Sequence, residues 1–191
     1  MRELNKRMSV ISLNSNISHS MKQVDLTAFE RHYCYYFPKI FNYVSYRVAN
    51  GATAEDLTAN IFERALVNYN SYAPEKAAFS TWLFTIARNI IANHLRSQKR
   101  QPNLVAVDTL PQVEVNTPSP EQAVIEAEQF RQIRIYLDRL DEREQEVIAL
   151  KFSSELKNQE IAEIMSLTPS HVGVLLHRGL KKLRRLLEEI D

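Results

Sequence analysis

Residues Asn158 to Arg185 read NQEIAEIMSLTPSHVGVLLHRGLKKLRR: a short apolar-periodic segment, a Thr-Pro break and a longer basic segment. Asn158 is placed to cap a first helix whose buried side would be Ile161, Ala162, Ile164 and Met165. Thr168 then caps a second helix, and Pro169 takes its first position, where a backbone N–H is not needed. Val172, Leu176, Leu180, Leu183 and Leu187 recur at helical steps as one apolar stripe. Arg178, Lys181, Lys182 and Arg185 fall on roughly the opposite face. No Asp or Glu occurs between Glu163 and Glu188, so this surface meets phosphate without like-charge repulsion. The pattern is a helix-turn-helix, a device that lays a helix in the DNA major groove. Alone, the second helix reads as an amphipathic helix with a solvated basic face; the first helix and the turn shift the reading to DNA.

The surrounding chain supports this only locally. Its 191 residues carry a formal net charge of +1, so bulk basicity does not announce nucleic acid. Instead, acid-free basic stretches alternate with an acidic block from Glu121 to Glu146. Three glycines and long apolar periods predict an all-α protein, 45% of it apolar and sufficient for one or two small cores. The single Cys34 excludes an internal disulfide and fits a reducing compartment, hence a cytoplasmic location. No stretch has the apolar length of a membrane span, and residues 1–23, rich in Ser and Asn, read as a disordered tail without a secretion-signal core. No cofactor is called for, and no metal-ligand cluster is visible; His32 beside Cys34 is a chance pairing.

Organisation follows from the punctuation. Phe29, Tyr33, Phe37, Phe41, Val44 and Val48 share one face of a first helix that Pro38 should kink or divide. Thr53, with Asp56, predicts a capping-box start for a second helix running to about Asn70. A loop, Ser71 to Ala78, leads to a third helix ending near Arg100, with Leu83, Ile86, Ile90 and His94 or Leu95 as its buried side. Residues 101–120, with Pro102, Pro111, Pro118 and Pro120, are linker chemistry. Beyond it come a helical pattern from Glu121, a helix from Glu142 to about Phe152 started by Asp141 and Glu144, and a connection over Lys151 to Lys157. The expectation is two small helical domains, 24–100 and 121–191, joined by a flexible linker, with the helix-turn-helix in the second.

The third helix is the second acid-free stretch: no acidic residue lies between Glu75 and Asp108. Arg88, Arg96 and Lys99 lie opposite the apolar side, with Asn89, Asn93 and Arg100 on a flank. Such a helix sets cations on phosphates and amides on base edges. Its other reading is a surface helix with an ordinary basic face, and Trp82 is equally compatible with the core.

Together the halves resemble bacterial RNA polymerase sigma factors of the extracytoplasmic-function (ECF) type over about residues 24–187. The resemblance rests on Ala54-Glu55-Asp56-Leu57, Phe62, Phe79, Trp82-Leu83-Phe84 and Ile86-Ala87-Arg88-Asn89. In the second half it rests on Leu140, Glu144, Glu146-Val147, Glu160-Ile161-Ala162-Glu163 and Leu176-His177-Arg178. It implies a non-enzymatic subunit that binds core RNA polymerase, directs it to promoter DNA and promotes opening. Contacts to the −10 region would come from Trp82, Arg88, Asn89, Asn93, Arg96, Lys99 and Arg100, with loop 71–78 implicated in capturing a flipped base. Contacts to the −35 region would come from Thr168, Ser170, His171, Val174, Leu175, Arg178, Lys181 and Lys182. Asp56, Leu57, Asn60 and Phe62 would bind polymerase, and an anti-sigma factor is a further partner expected by analogy.

The chain also departs from that pattern. Ala59-Asn60 replaces the usual Gln-Glu pair, and Asn93 replaces a frequent Asp. Gly173 and Leu175 stand where a Lys and an Arg are usual. A mid-helix glycine costs roughly 1 kcal/mol relative to alanine, and two donors are lost, so a weak −35 preference is expected. A linker of about twenty residues reaches at most ~65–70 Å, enough for two sites more than one DNA turn of ~34–36 Å apart. A helix-turn-helix regulator acting without polymerase is the rival; it leaves the third helix idle. Enzyme chemistry has no support, since Glu55, Asp56 and Glu63 lack a partner group.

Overall fold

The computed structural model describes residues 26–48, 50–100 and 132–188. The expected tail, the linker and the helical start at Glu121 lie outside the described residues. Among those described, every regular element is helical. In chain order these are α1 (Leu26–Arg47), α2 (Gly51–Val67), a 3₁₀ turn (Tyr69–Ser71) and α3 (Phe79–Arg100). A helical stretch over 132–137 precedes α4 (Glu142–Ser154), α5 (Asn158–Met165) and α6 (Pro169–Glu188).

Several boundaries correct the sequence expectation. Pro38 does not divide α1, which runs through it unbroken. The N–H that proline lacks would have bonded to the carbonyl of Cys34, an exposed residue where water can serve instead. Phe37 and Phe41, on either side of it, stack in line at 6.3 Å, and Phe37 packs on Phe62 of α2 at 6.0 Å, so packing holds both turns. The cap of α2 is Asn50 rather than Thr53; its side chain accepts from the Thr53 N–H at 3.1 Å. The earlier start brings Gly51 and Ala54 into the core. That helix ends at Val67, not Asn70, where the Asn68 side-chain amide donates back to the Arg64 carbonyl at 2.7 Å.

In the second half, Asp141 accepts from the Arg143 and Glu144 N–H groups while the Glu144 carboxylate accepts from the Asp141 N–H, the expected capping box. Helix α4 runs on to Ser154, and the connection shrinks to residues 155–157. Asn158 is the first residue of α5, not its cap; the cap is Lys157, whose N–H donates to Glu160. Ile161, Ala162, Ile164 and Met165 are buried as expected. Thr168 caps α6, its hydroxyl accepting from His171 N at 3.2 Å, and Pro169 begins the helix.

The apolar stripe of α6 is rotated from the expected one. Val172, Leu175 and Gly179 are buried, whereas Leu180 and Leu187 are exposed. Gly179 decides the rotation, since a Cβ there would stand 2.7 Å from Ile148 Cδ1 of α4. The helices meet backbone to side chain at that point, a placement that equal-weight leucine periodicity cannot register.

The buried line of α3 is also shifted from the expected one. Its buried line is Phe79, Ser80, Leu83, Phe84, Ala87 and Ile91, and Ile86 and Ile90 are only half-buried. Helix α3 is packed by α2 on one side and by α5 on another, so no single stripe describes it. Helix α1 likewise rests on α4 as well as on α2. One cluster of buried residues therefore runs from Phe29 and Tyr43 through Phe84 to Leu150, Ile161 and Val172. The two halves pack directly on each other, which the sequence reading did not contain.

Candidate nucleic-acid interface

The first surface is built on an aromatic cluster that fixes the start of α3. Phe79 is buried, stacked on His32 at 3.9 Å and edge-on to Tyr72 at 5.2 Å. Burial lowers the His32 pKa, with the Arg31 charge adding to it. Trp82 lies 5.3 Å from Tyr72 and 5.4 Å from Phe79, half-buried, with its remaining surface facing outward. Loop 72–78 is thereby pinned by Tyr72 at its root.

Trp82 forms one wall of an open groove of about 650 Å³ between α2 and α3. Leu57, Asn60 and Arg64 line it from α2, Asn68 from the cap that ends it, and Ile86, Asn89 and Asn93 from α3, with Ser71 completing it. An aromatic face beside several amides suits an unstacked base, whose ring stacks while its edge takes donors and acceptors. The α2 contribution was missed in the sequence, where these positions were assigned to polymerase or left unread. Their four-residue spacing (60, 64, 68) was the available signal.

The proposed cations on α3 are divided. Arg96 and Arg100 are exposed, and Lys99 is exposed with Nζ 3.4 Å from Glu142. Arg88 is half-buried, its Nε without a hydrogen-bond partner, and its charge acts on Tyr43. Among the four polymerase candidates, Asp56 and Asn60 are exposed and Leu57 is half-buried. Phe62 is corrected: it is 3% exposed, 4.7 Å from the Tyr33 ring, and supports that surface from beneath rather than touching a partner.

The second surface is the outer face of α6. At about 100° per residue, Ser170, His171, Val174, Arg178 and Lys181 fall within one arc of ~100°, and all are exposed, as is Thr168 at the cap. Leu175 is corrected: at 6% exposure it belongs to the core, so its hydrocarbon cannot meet a base. Lys182 points elsewhere, with Nζ 2.6 Å from the buried Glu144 carboxylate and 3.7 Å from Asp141, and the Glu144 bond raises its pKa. It pins α6 to the start of α4. Among the described residues no His, Cys, Asp and Glu cluster could hold a metal, and no helix is long and apolar enough to cross a membrane.

An open groove lined by one indole and several amides and a separate exposed helix-turn-helix face stand on one chain. The comparisons define the class. The Sigma-70 region 2 model matches residues 33–101, and the Sigma-70 region 4 model matches residues 130–183. The chain is 34% identical over 162 residues to the ECF RNA polymerase sigma factor BldN of Streptomyces coelicolor, covering 85% of this chain and 61% of BldN. It is 30% identical over 177 residues to the ECF RNA polymerase sigma factor SigW of Bacillus subtilis, covering 89% of this chain and 94% of SigW. Its fold matches CnrH in complex with the cytosolic domain of CnrY, with a TM-score of 0.67 at 18% identity over 92% of this chain and 96% of that one. It also matches RpoE in complex with the anti-sigma factor NepR from Bartonella quintana, with a TM-score of 0.68 at 17% identity over 84% and 97%. The chain belongs to the ECF RNA polymerase sigma factors.

Proposed function

We propose that this protein is an alternative sigma factor that binds core RNA polymerase, directs it to promoters with −10 and −35 elements and promotes DNA opening. The observation that carries the reading is the groove of Trp82, Asn89 and Asn93 on one half together with the exposed Ser170–Lys181 arc of α6 on the other. The proposed division is 24–100 for the −10 element and polymerase, 101–120 as linker and 121–191 for the −35 element. The groove takes an unstacked non-template base, Trp82 stacking on it and Asn89 and Asn93 bonding its edge. Arg96 and Arg100 neutralise flanking phosphates. Asp56 on the outer face of α2, with Leu57 and Asn60 at the rim it shares with the groove, is offered to polymerase, supported by Phe62 from beneath. Thr168, Ser170, His171, Val174, Arg178 and Lys181 face the −35 duplex. Polymerase supplies the phosphoryl chemistry, so the chain itself is no enzyme, and it acts in the cytoplasm. An anti-sigma factor that sequesters the free chain is a further proposed partner, by family analogy.

Run-off transcription with core polymerase and a promoter library tests this. Wild type should confer promoter-dependent initiation, and Asn89→Ala should change the preferred −10 base. A chain that bound duplex promoter DNA alone and never associated with core polymerase would instead be a helix-turn-helix regulator.

A further inference from the structure

Trp82 is held at the groove by a ring that does not line it. Phe79, one turn earlier on α3, is 6% exposed; its ring centre lies 5.4 Å from that of Trp82 and 5.2 Å from that of Tyr72. Tyr72 and Trp82 meet each other at 5.3 Å, so the three rings form a triangle with Phe79 at its buried corner. Tyr72 closes the 3₁₀ turn and Trp82 belongs to the first turn of α3, so the triangle also fixes both ends of loop 72–78.

The plane of Phe79 is set from outside α3. The second torsion of a phenylalanine is broad and two-fold, so its neighbours decide how the ring is turned. Tyr36, Tyr69, Tyr72 and Trp82 meet Phe79 tilted or edge-on, at interplanar angles of 47°, 67°, 85° and 44°. Among the described residues, His32 of α1 alone lies face to face with it, at 3.9 Å and 13°. At that separation the two faces are in van der Waals contact, which leaves no room for tilt. Tyr36 and Tyr69 stand beside His32, each at 6.2 Å, and Phe29 braces Tyr69 edge-on at 5.2 Å.

A relay of rings therefore runs from Phe29 and Tyr69 through His32 and Phe79 to Trp82. It begins in the core and ends at the open groove. His32 lines no part of that groove, so whatever it contributes there passes through Phe79. A side chain of similar size but without a flat face would let Phe79 turn among its tilted neighbours, and Trp82 with it. A mobile indole must be ordered before a base can stack on it, at a cost in conformational entropy.

We propose that His32 is a positioning residue for promoter opening: stacked on Phe79, it holds the Trp82 indole in the pose that receives an unstacked base. The proposal rests on the base-capturing reading of the groove given above. His32 itself touches no base, and its effect falls on strand opening, not on recruitment to the closed duplex.

Trp82 is the only tryptophan of the chain, so intrinsic fluorescence reports on it alone. The test compares wild type, His32→Leu, His32→Gln and His32→Phe as full chains, with circular dichroism confirming that each folds. Anisotropy decay and acrylamide access of Trp82 are read on the free chain. Opening rate and closed-complex affinity are read on the holoenzyme at a promoter that wild type opens. His32→Leu keeps apolar bulk and His32→Gln keeps polarity, but both lose the ring. Each should free the indole and slow opening about two- to tenfold, with closed-complex affinity unchanged. His32→Phe should restore both. A Trp82 as rigid as in wild type in folded His32→Leu or His32→Gln chains overturns the relay. So does a defect that His32→Phe leaves unrepaired, or one that falls on closed-complex affinity instead. Trp82→Ala run beside them separates the two readings. If it opens promoters normally, the base-capturing groove is at fault; if it fails while the loosened His32 variants open normally, His32 is not a positioning residue.

Discussion

The two cationic helices serve their halves in different ways. On α6 the polar arc is continuous and exposed, from Ser170 to Lys181, and the opposite arc of Val172, Leu175 and Gly179 is sealed against α4 and α5. On α3 the cations are split between solvent and the contact with the second half, and the open surface is a groove of one indole and several amides. The first arrangement suits duplex phosphates, where charge matters more than edge chemistry. The second suits single bases, where stacking and amide geometry matter more than charge. Sequence specificity is therefore expected to sit mainly in the first half.

The largest effect that would break this contrast lies at Trp82. Trp82→Ala should remove about 1–3 kcal/mol of base stacking, reducing open-complex formation about five- to 150-fold by permanganate footprinting. Recruitment to the closed duplex should barely change. Next comes Gly179→Val, which drives methyl groups into Ile148 and should cost about 1–3 kcal/mol by overpacking, visible as a lower Tm. Gly173→Ala has open space around its new methyl and should hold or raise the Tm.

Arg178→Ala is expected to act more gently, weakening binding evenly across −35 sequences and reducing the salt slope by about one. Lys182→Ala sharpens that result: it should lower the Tm, by freeing the Glu144 carboxylate, and leave the salt slope in place. The smallest change is Gly173→Lys, which adds a cation on open surface and removes a helix penalty of about 1 kcal/mol. It should steepen the salt dependence of −35 binding by about one phosphate contact.

How legible the protein was in its sequence depended on what each residue's neighbours were. Caps made of local chemistry, Thr168-Pro169 and Asp141 with Glu144, were readable because the partner atoms lie within three residues. Thr53 misled because Asn50, equally suited to the role, lay upstream of it. The periodicity of α6 placed Leu180 inside, and the resemblance placed Leu175 on the DNA face; the inversion follows from the close approach of Gly179 to Ile148 of α4. Phe62 looked like a surface motif residue for the same reason, since its companions Tyr33 and Phe37 come from another helix. The groove was half visible: the α3 side declared itself through Trp82 and the asparagines, while Asn68 and Arg64 joined it only through the packing of α2 on α3. The packing of α1 on α4 could not be read, because Glu146 is one of many acids in an acidic block until α1 supplies Arg47 and Tyr43.

The most direct measurement is heparin-resistant open-complex formation by core polymerase carrying this chain, on templates substituted base by base in the −10 and −35 elements. The expected result is strict dependence on the chain, a steep loss at one or more non-template −10 bases that Trp82→Ala abolishes, and shallow losses across −35. Initiation that ignored the −10 bases and followed only −35 guanines, or that needed no added chain, would contradict it.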